Sequence, residues 1–260
     1  MANYCERLVQ THFRVCWSLL AVLVLTLHGS VLWNQDVLPY VEAGVGRKQG
    51  DFGSPTQSTL WQGYATYGAT GARWDASLTV PFLRLNREGG GISSQDQGIG
   101  DVIVRGSYRF LPENENGWSL DGEGALKLPT ASDTKGLGTG RTDVGGFLAL
   151  HQRLGLFQWT IIGGWIQGAS TNQTGAGGNL VSGSYVTGLR GTWDLDRNRW
   201  GVAFEARGAT FQGAPGLKEL SVDVFHPLSS KWAMKAVITA GFSDGGPKQS
   251  MGVALVRIFP

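Results

Sequence analysis

Residues 99–128 read IGDVIVRGSYRFLPENENGWSLDGEGALKL and hold two alternating runs joined by a polar turn. In the first run Val102, Val104, Gly106, Tyr108 and Phe110 share one parity, while Asp101, Ile103, Arg105, Ser107 and Arg109 share the other. After PENENG at 112–117 the pattern resumes, with Trp118, Leu120, Gly122, Gly124, Leu126 and Leu128 set against Ser119, Asp121, Glu123, Ala125 and Lys127. Alternate side chains of a strand point to opposite faces, so a period of two held over about ten residues means a strand with one apolar and one charged face. Wound into a helix, the same residues would scatter their charges around the circumference. About ten residues is also the length of a tilted strand that crosses a bilayer.

The code recurs to the end of the chain. Twelve candidate strands fall near 37–48, 57–70, 73–85, 99–110, 117–128, 142–153, 156–167, 181–193, 199–211, 217–227, 231–242 and 249–259. The third puts Trp74, Ala76, Leu78, Val80 and Phe82 opposite Arg73, Asp75, Ser77 and Thr79, and the eleventh puts Trp232, Met234, Ala236, Ile238, Ala240 and Phe242 opposite Lys231, Lys235 and Thr239. No charge block or Pro/Ser-rich linker divides them, so residues 31–260 read as one domain. Glycine, at 40 of 260 residues, is about twice its usual share and implies many turns and closely approaching strands. Only 16% of residues are charged, which does not suit a surface made mainly for water. The net charge of +2 is spread with acids among the bases, so no basic stripe is available for nucleic acid.

The first thirty residues differ. Arg7 and Arg14 precede VCWSLLAVLVLTL at 15–27, an apolar run too short to span a bilayer as a helix and suited to the core of a signal peptide. Residues 1–30 are therefore expected to be a leader that sends the chain through the inner membrane. Cys5 and Cys16 both lie in it, so the remainder has no thiol for a disulfide or a thiolate metal site.

Connections tend to alternate between long and short. Gly-rich segments at 87–98, 129–141 and 168–179 alternate with tight turns at Gly71 and Ala72, at Leu154 and Gly155, at 194–198 and at 227–230. Bacterial outer-membrane barrels have short periplasmic turns and longer external loops. The brief 212–216 and the longer 111–117 depart from the rule. Aromatic placement follows the same polarity: Trp74, Trp118, Trp200 and Trp232 begin strands just after short turns, and Trp193 and Tyr108 end them just before. Gathered at one level, these six form the expected aromatic girdle of a barrel. The fold expected is all-β, a closed antiparallel transmembrane β-barrel of about 12 strands, within roughly 10 to 14.

Several segments resemble a known family. GIGD at 98–101 leads into VRGSYRF, LKLPTASD begins at Leu126, GLGTGRTD ends at Asp143, and YGATGARWDASLTVPFLRL covers 67–85. Together they resemble the MetA-pathway phenol-degradation family of outer-membrane proteins, often described as transporters. The resemblance covers roughly residues 67–150 and implies an outer-membrane barrel that passes small hydrophobic or aromatic compounds. It implies no catalytic residues.

Enzymatic chemistry finds no foothold. His12 and His28 lie in the leader, and His151 and His226 on different strands, short of the three or four converging ligands a zinc site needs. Neither HExxH nor GxSxG occurs, and the glycine-rich 135–142 lacks the spacing of a phosphate loop and reads as a flexible external loop. No cofactor, metal site or catalytic residue is expected. The charged parity remains: Asp101, Arg105, Arg109, Asp121, Glu123, Lys127, Asp143, Arg190, Glu205, Arg207, Glu219, Asp223 and Lys235. Facing lipid, a midplane Arg or Lys would cost about 2 to 4 kcal/mol, so these residues are expected to line the lumen. Lining a pore and locking the barrel shut with ion pairs are both open to them, and parity alone also admits a soluble barrel with the faces inverted. The function expected is a passive outer-membrane channel for small solutes, with outer-membrane lipid and those solutes as partners. A structural or adhesive barrel and an outer-membrane hydrolase are the alternatives.

Overall fold

The computed structural model describes residues 37–51, 56–89, 91–168, 174–175, 178–179, 183–208, 216–244 and 246–259. The expected leader at 1–30, most of 168–179 and residues 212–215 lie outside the described residues. Residues Leu38–Pro260 form one unit of strands. In chain order these are β1 (Leu38–Gly50), β2 (Gln57–Thr70), β3 (Trp74–Gly89), β4 (Ile92–Ile99), β5 (Val102–Leu111), β6 (Trp118–Leu128), β7 (Asp143–Leu154), β8 (Phe157–Gly168), the two-residue strands β9 (Thr174–Gly175) and β10 (Gly178–Asn179), then β11 (Gly183–Leu195), β12 (Asn198–Arg207), β13 (Leu217–Pro227), β14 (Trp232–Gly241) and β15 (Gln249–Ile258). β9 and β10 pair only with each other; the other thirteen form one sheet.

The sheet closes on itself. Every neighbour is antiparallel, β1 pairs with β15 from Tyr40 opposite Ile258 to Gln49 opposite Gln249, and β2 pairs with both β1 and β3. Closure gives every strand of the sheet except β4, which pairs with β3 alone, two hydrogen-bonded neighbours, the condition for placing a sheet in a medium that offers the backbone no partners. β4 and β5 are successive pieces of one stave, since both pair with β3, the first at residues 82–89 and the second at 74–79. The wall thus has twelve staves.

The break in that stave has a chemical cause. Pro81 sits in β3 opposite the gap; its carbonyl accepts from Gly100 N at 2.9 Å, but it has no N–H to return to the Gly100 carbonyl. The Thr130 hydroxyl supplies the missing donor, reaching Gly100 O at 2.8 Å, and accepts from Val102 N at 2.9 Å. One side chain therefore stands in for a rung of the ladder. Thr130→Val keeps the shape and strands both groups, so a loss of about 1 to 3 kcal/mol is expected on urea unfolding, with Thr130→Ser close to wild type. A valine variant as stable as wild type would show the rung to be dispensable.

Burial separates the two faces: Leu85, Val186, Ala233, Ala254 and Val256, all buried, share the face of the charged residues. Val45 is 59% exposed, Leu148 56% and Ile238 62%, all on the apolar parity, whereas only six hydrophobic residues are buried among those described. A soluble barrel with inverted faces would hide these rows in its core, so that alternative fails. No large side chain is fully buried among the described residues, and the barrel has no packed apolar interior.

Short turns close the other end. Gly155, the first residue of the two-residue connection between β7 and β8, has φ of 64°, and Asp196 holds the matching place between β11 and β12 at 52°. Left-handed backbone at this position matches the twist of the flanking strands. The longer 112–117 turn is organised by Asn114, whose Oδ1 accepts from Asn116 N and Trp118 N, both at 3.0 Å.

Candidate functional site

The girdle residues meet across strands at the short-turn end. Trp74 lies opposite Tyr108 on β3 and β5, and Trp193 opposite Trp200 on β11 and β12. Trp118 packs edge-on against Trp159 with ring centroids 5.2 Å apart, and Trp193 lies 5.0 Å from Phe157, so Trp159 and Phe157 extend the row beyond the six residues read from sequence. Trp232 carries the Arg257 guanidinium 5.3 Å from its ring, and the same guanidinium lies 4.8 Å from the Phe259 ring. This arrangement places Arg257, an outward residue near the chain end, among the aromatics. Residues 232 and 242 bracket the apolar stretch of one stave. At about 3.3 Å per residue and a tilt near 40° they are separated by about 25 Å, the height of an outer-membrane apolar band.

On the opposite face the charged residues meet as pairs. Arg109 grips Asp121 with two bonds, Nε to Oδ1 at 2.8 Å and Nη2 to Oδ2 at 3.0 Å, and His151 Nε2 lies 3.4 Å from the same carboxylate. Four residues along β5, Arg105 reaches Glu123 at 3.0 Å. Arg190 meets Asp223 at 2.7 Å, bridging from β11 across β12 to β13. Arg207 lies 3.4 Å from Glu205 on its own strand, and Glu219 sits opposite Glu205 on β13. Lys235 reaches Glu42 at 2.6 Å, and Tyr64 donates to the other Glu42 oxygen at 2.7 Å. Glu42 was not among the residues picked from sequence, because its neighbourhood with Lys235 exists only once β1 closes against β15. The Arg153, Asp194 and Arg199 chain at the short-turn end was missed for a similar reason: its members come from β7, β11 and β12.

The remaining three expected residues form a cluster at the other end. Lys127 lies 2.5 Å from Asp143 and 3.4 Å from Asp101 and also donates to Thr139; Arg141 meets Asp143 at 3.0 Å. Asp101 further accepts from Ala131 N at 3.1 Å, and the Arg87 guanidinium donates to the Lys135 carbonyl at 2.8 Å. These contacts fasten the 129–142 segment, whose part 135–142 reads in the sequence as a flexible external loop. It is instead tied down on the inner side: Leu137 is 6% exposed and touches the inward-facing Gly98, and Arg141 is 7% exposed. In the connection between β14 and β15, Asp244 accepts from Lys248 and raises the pKa of its ammonium group.

The inner charges remain hydrated despite their pairing. Arg105 is 56% exposed, Lys235 47%, Arg109 42% and Arg190 40%. Inside a closed wall, such exposure requires water-accessible space beside the side chains. An apolar strip interrupts the charges, with Phe147 on β7 beside Ile162 and Ile166 on β8 and Val186 on β11, all of inward parity. No group of three or more His, Cys, Asp or Glu able to hold a metal ion occurs among the described residues.

No protein-family model matches the chain, and no curated protein sequence matches it. Solved structures do. The COG4313 outer membrane channel from Pseudomonas putida F1 aligns with a TM-score of 0.68 at 18% identity, covering 88% of this chain and 97% of that one. The fold is that of an outer-membrane β-barrel. The NanC porin aligns with a TM-score of 0.56 at 10% identity over 85% of this chain and 100% of its own, and the translocator domain of the autotransporter NalP from Neisseria meningitidis with 0.52 at 11% over 89% and 91%. At these identities the likeness establishes the fold alone. Within outer-membrane-type barrels, the paired yet hydrated inner wall is the feature that bears on what this one does.

Proposed function

We propose that this barrel resides in the bacterial outer membrane, reached by way of an N-terminal leader, and acts as a passive channel for small solutes. The observation that carries the proposal is the hydration of the inner charges, led by Arg105 at 56% exposure. A barrel held shut by its ion pairs would pack them against one another and exclude water. Twelve staves enclose more room than an eight-stranded barrel filled by its own side chains and less than a sixteen-stranded porin. The secured 129–142 segment narrows the passage further on the side of β4 to β7. Charges in such a confined space act more strongly than in bulk water, so the inner pairs sort solutes by charge. Small aromatic compounds as solutes are supported by the resemblance to the MetA-pathway phenol-degradation family and by the apolar strip of Phe147, Ile162, Ile166 and Val186. No step of this function calls for catalysis or a cofactor.

Refolded protein in planar bilayers tests the proposal. Discrete single-channel openings, or flux of small ionic or aromatic solutes into liposomes, are the expected result. Absence of both conductance and flux in a barrel shown to be inserted would make the inner charges a structural plug and favour the structural reading.

A further inference from the structure

A second site lies on the outer wall, at the end of the barrel opposite the girdle. On β1, β2 and β3 the outward residues are apolar up to Val45, Gly63 and Phe82 and then change character, to Arg47 and Gln49, Trp61 and Thr59, and Arg84, Asn86 and Glu88. The register places Arg47 opposite Trp61, Gln49 opposite Thr59, Thr59 opposite Asn86 and Gln57 opposite Glu88. These residues line a recess of about 580 Å³, with Trp61 49% exposed. The strands here run 13, 14 and 16 residues, beyond the roughly 9 to 11 needed to cross a bilayer, so this part of the wall projects past the apolar layer.

We infer that this recess binds the sugar headgroup of a glycolipid of the surrounding leaflet. Trp61 offers an aromatic face on which the C–H side of a pyranose ring can stack, and the Arg47 guanidinium is held 5.8 Å from that ring's centroid. Arg47 is also oriented by donating to Gln49 Oε1 at 2.7 Å, an oxygen that accepts from Gln249 at 3.2 Å, so the cation is placed before any ligand arrives. Amides and carboxylate on the other side, from Gln57, Asn86 and Glu88, supply planar donors and acceptors for hydroxyls. Asn86 Oδ1 is shielded from water and has no hydrogen-bond partner, so the amide gains by turning toward a hydroxyl that enters. The recess lining is mostly uncharged, with Arg47 and Glu88 as its charged members and Arg84 opposite Trp61 beside it, a mixed set that suits a hydroxyl-rich sugar. Position decides the source: the recess faces away from the lumen and begins where the apolar rows end, the layer occupied by headgroups and not the path of a solute crossing the barrel.

This inference rests on the membrane placement proposed above, and one preparation separates the two. Full-length barrel, confirmed folded by heat-modifiable migration and inserted by co-flotation with vesicles, is titrated in detergent with three probes: rough lipopolysaccharide carrying core sugars, the sugar-free anionic phospholipid phosphatidylglycerol, and deacylated core oligosaccharide. Saturable binding of the sugar-bearing lipid is expected, weakened about five- to tenfold by Trp61→Ala or Arg47→Ala and largely kept by Trp61→Phe. Phosphatidylglycerol is expected to bind at least about tenfold more weakly, and the free oligosaccharide to compete only at higher concentration. Alanine variants that bind like wild type, or phosphatidylglycerol that binds as well as the sugar-bearing lipid, would overturn the site. Free oligosaccharide binding as tightly as the lipid would overturn the lipid-linked ligand. Failure of the wild type to float with vesicles would instead remove the membrane placement.

Discussion

Introducing arginine at Val104 is expected to destabilise the inserted barrel by about 2 to 4 kcal/mol, while arginine at Ser107 three residues away is tolerated. Val104 lies in an outward row between Leu78 on β3 and Leu126 on β6, with its own side chain 37% exposed and Leu78 41% exposed. A guanidinium there would have to stay in the apolar layer or distort the strand to reach its edge. Ser107 has the opposite parity and faces Glu123 on β6, so a new guanidinium enters a hydrated wall beside a carboxylate. Urea titration of the folded, heat-modifiable gel band in liposomes measures both variants. If Ser107→Arg collapses the barrel and Val104→Arg leaves it intact, the assignment of faces is wrong.

Neutralising Arg105 and Arg109 together, as Gln, is expected to shift ion selectivity toward cations by about severalfold in the permeability ratio. The sign follows from the pairing. Arg109 makes two bonds to Asp121 and Arg105 one to Glu123, so removing both cations leaves two carboxylates uncompensated on β6. The local charge of the wall thereby changes from balanced to negative while the backbone register of β5 and β6 is untouched. Reversal potentials under a salt gradient read the effect directly. A channel that conducts with unchanged selectivity would show that ions pass elsewhere in the lumen, beside the Lys235 and Glu42 pair or the Arg190 and Asp223 pair.

Legibility in the sequence tracked contrast between environments. Where a strand separates apolar surroundings from a wet interior, as in β3, β5, β6 and β14, neighbouring residues must differ, and the alternation was plain. β4 was missed for the same physical reason. Its outward Ser93, Gln95 and Gln97 and inward Ser94, Asp96 and Gly98 are polar or small on both sides, because this hairpin stands beyond the apolar rows. With similar surroundings on both faces there is no periodicity to read, and 87–98 passed for a loop. The glycines that suggested a loop shape the hairpin turn, with φ of 129° at Gly89 and 80° at Gly91.

From composition and period two alone follow the all-β class, the stave positions, which parity is charged, and the gathering of aromatics near the short turns. These are local properties, set by what each residue and its second neighbour face. Tertiary structure decided what depends on residues far apart in the chain: closure of β1 on β15, which makes Glu42 the partner of Lys235; the tie of the 129–142 segment through Asp101, Lys127 and Asp143; and the repair of the gap opposite Pro81 by Thr130. Such pairings are fixed by stagger between strands, and period two constrains parity without constraining stagger. Hydration of the inner wall also belongs to the closed structure, since it depends on how much room twelve staves leave once every inward side chain and the 129–142 segment are in place.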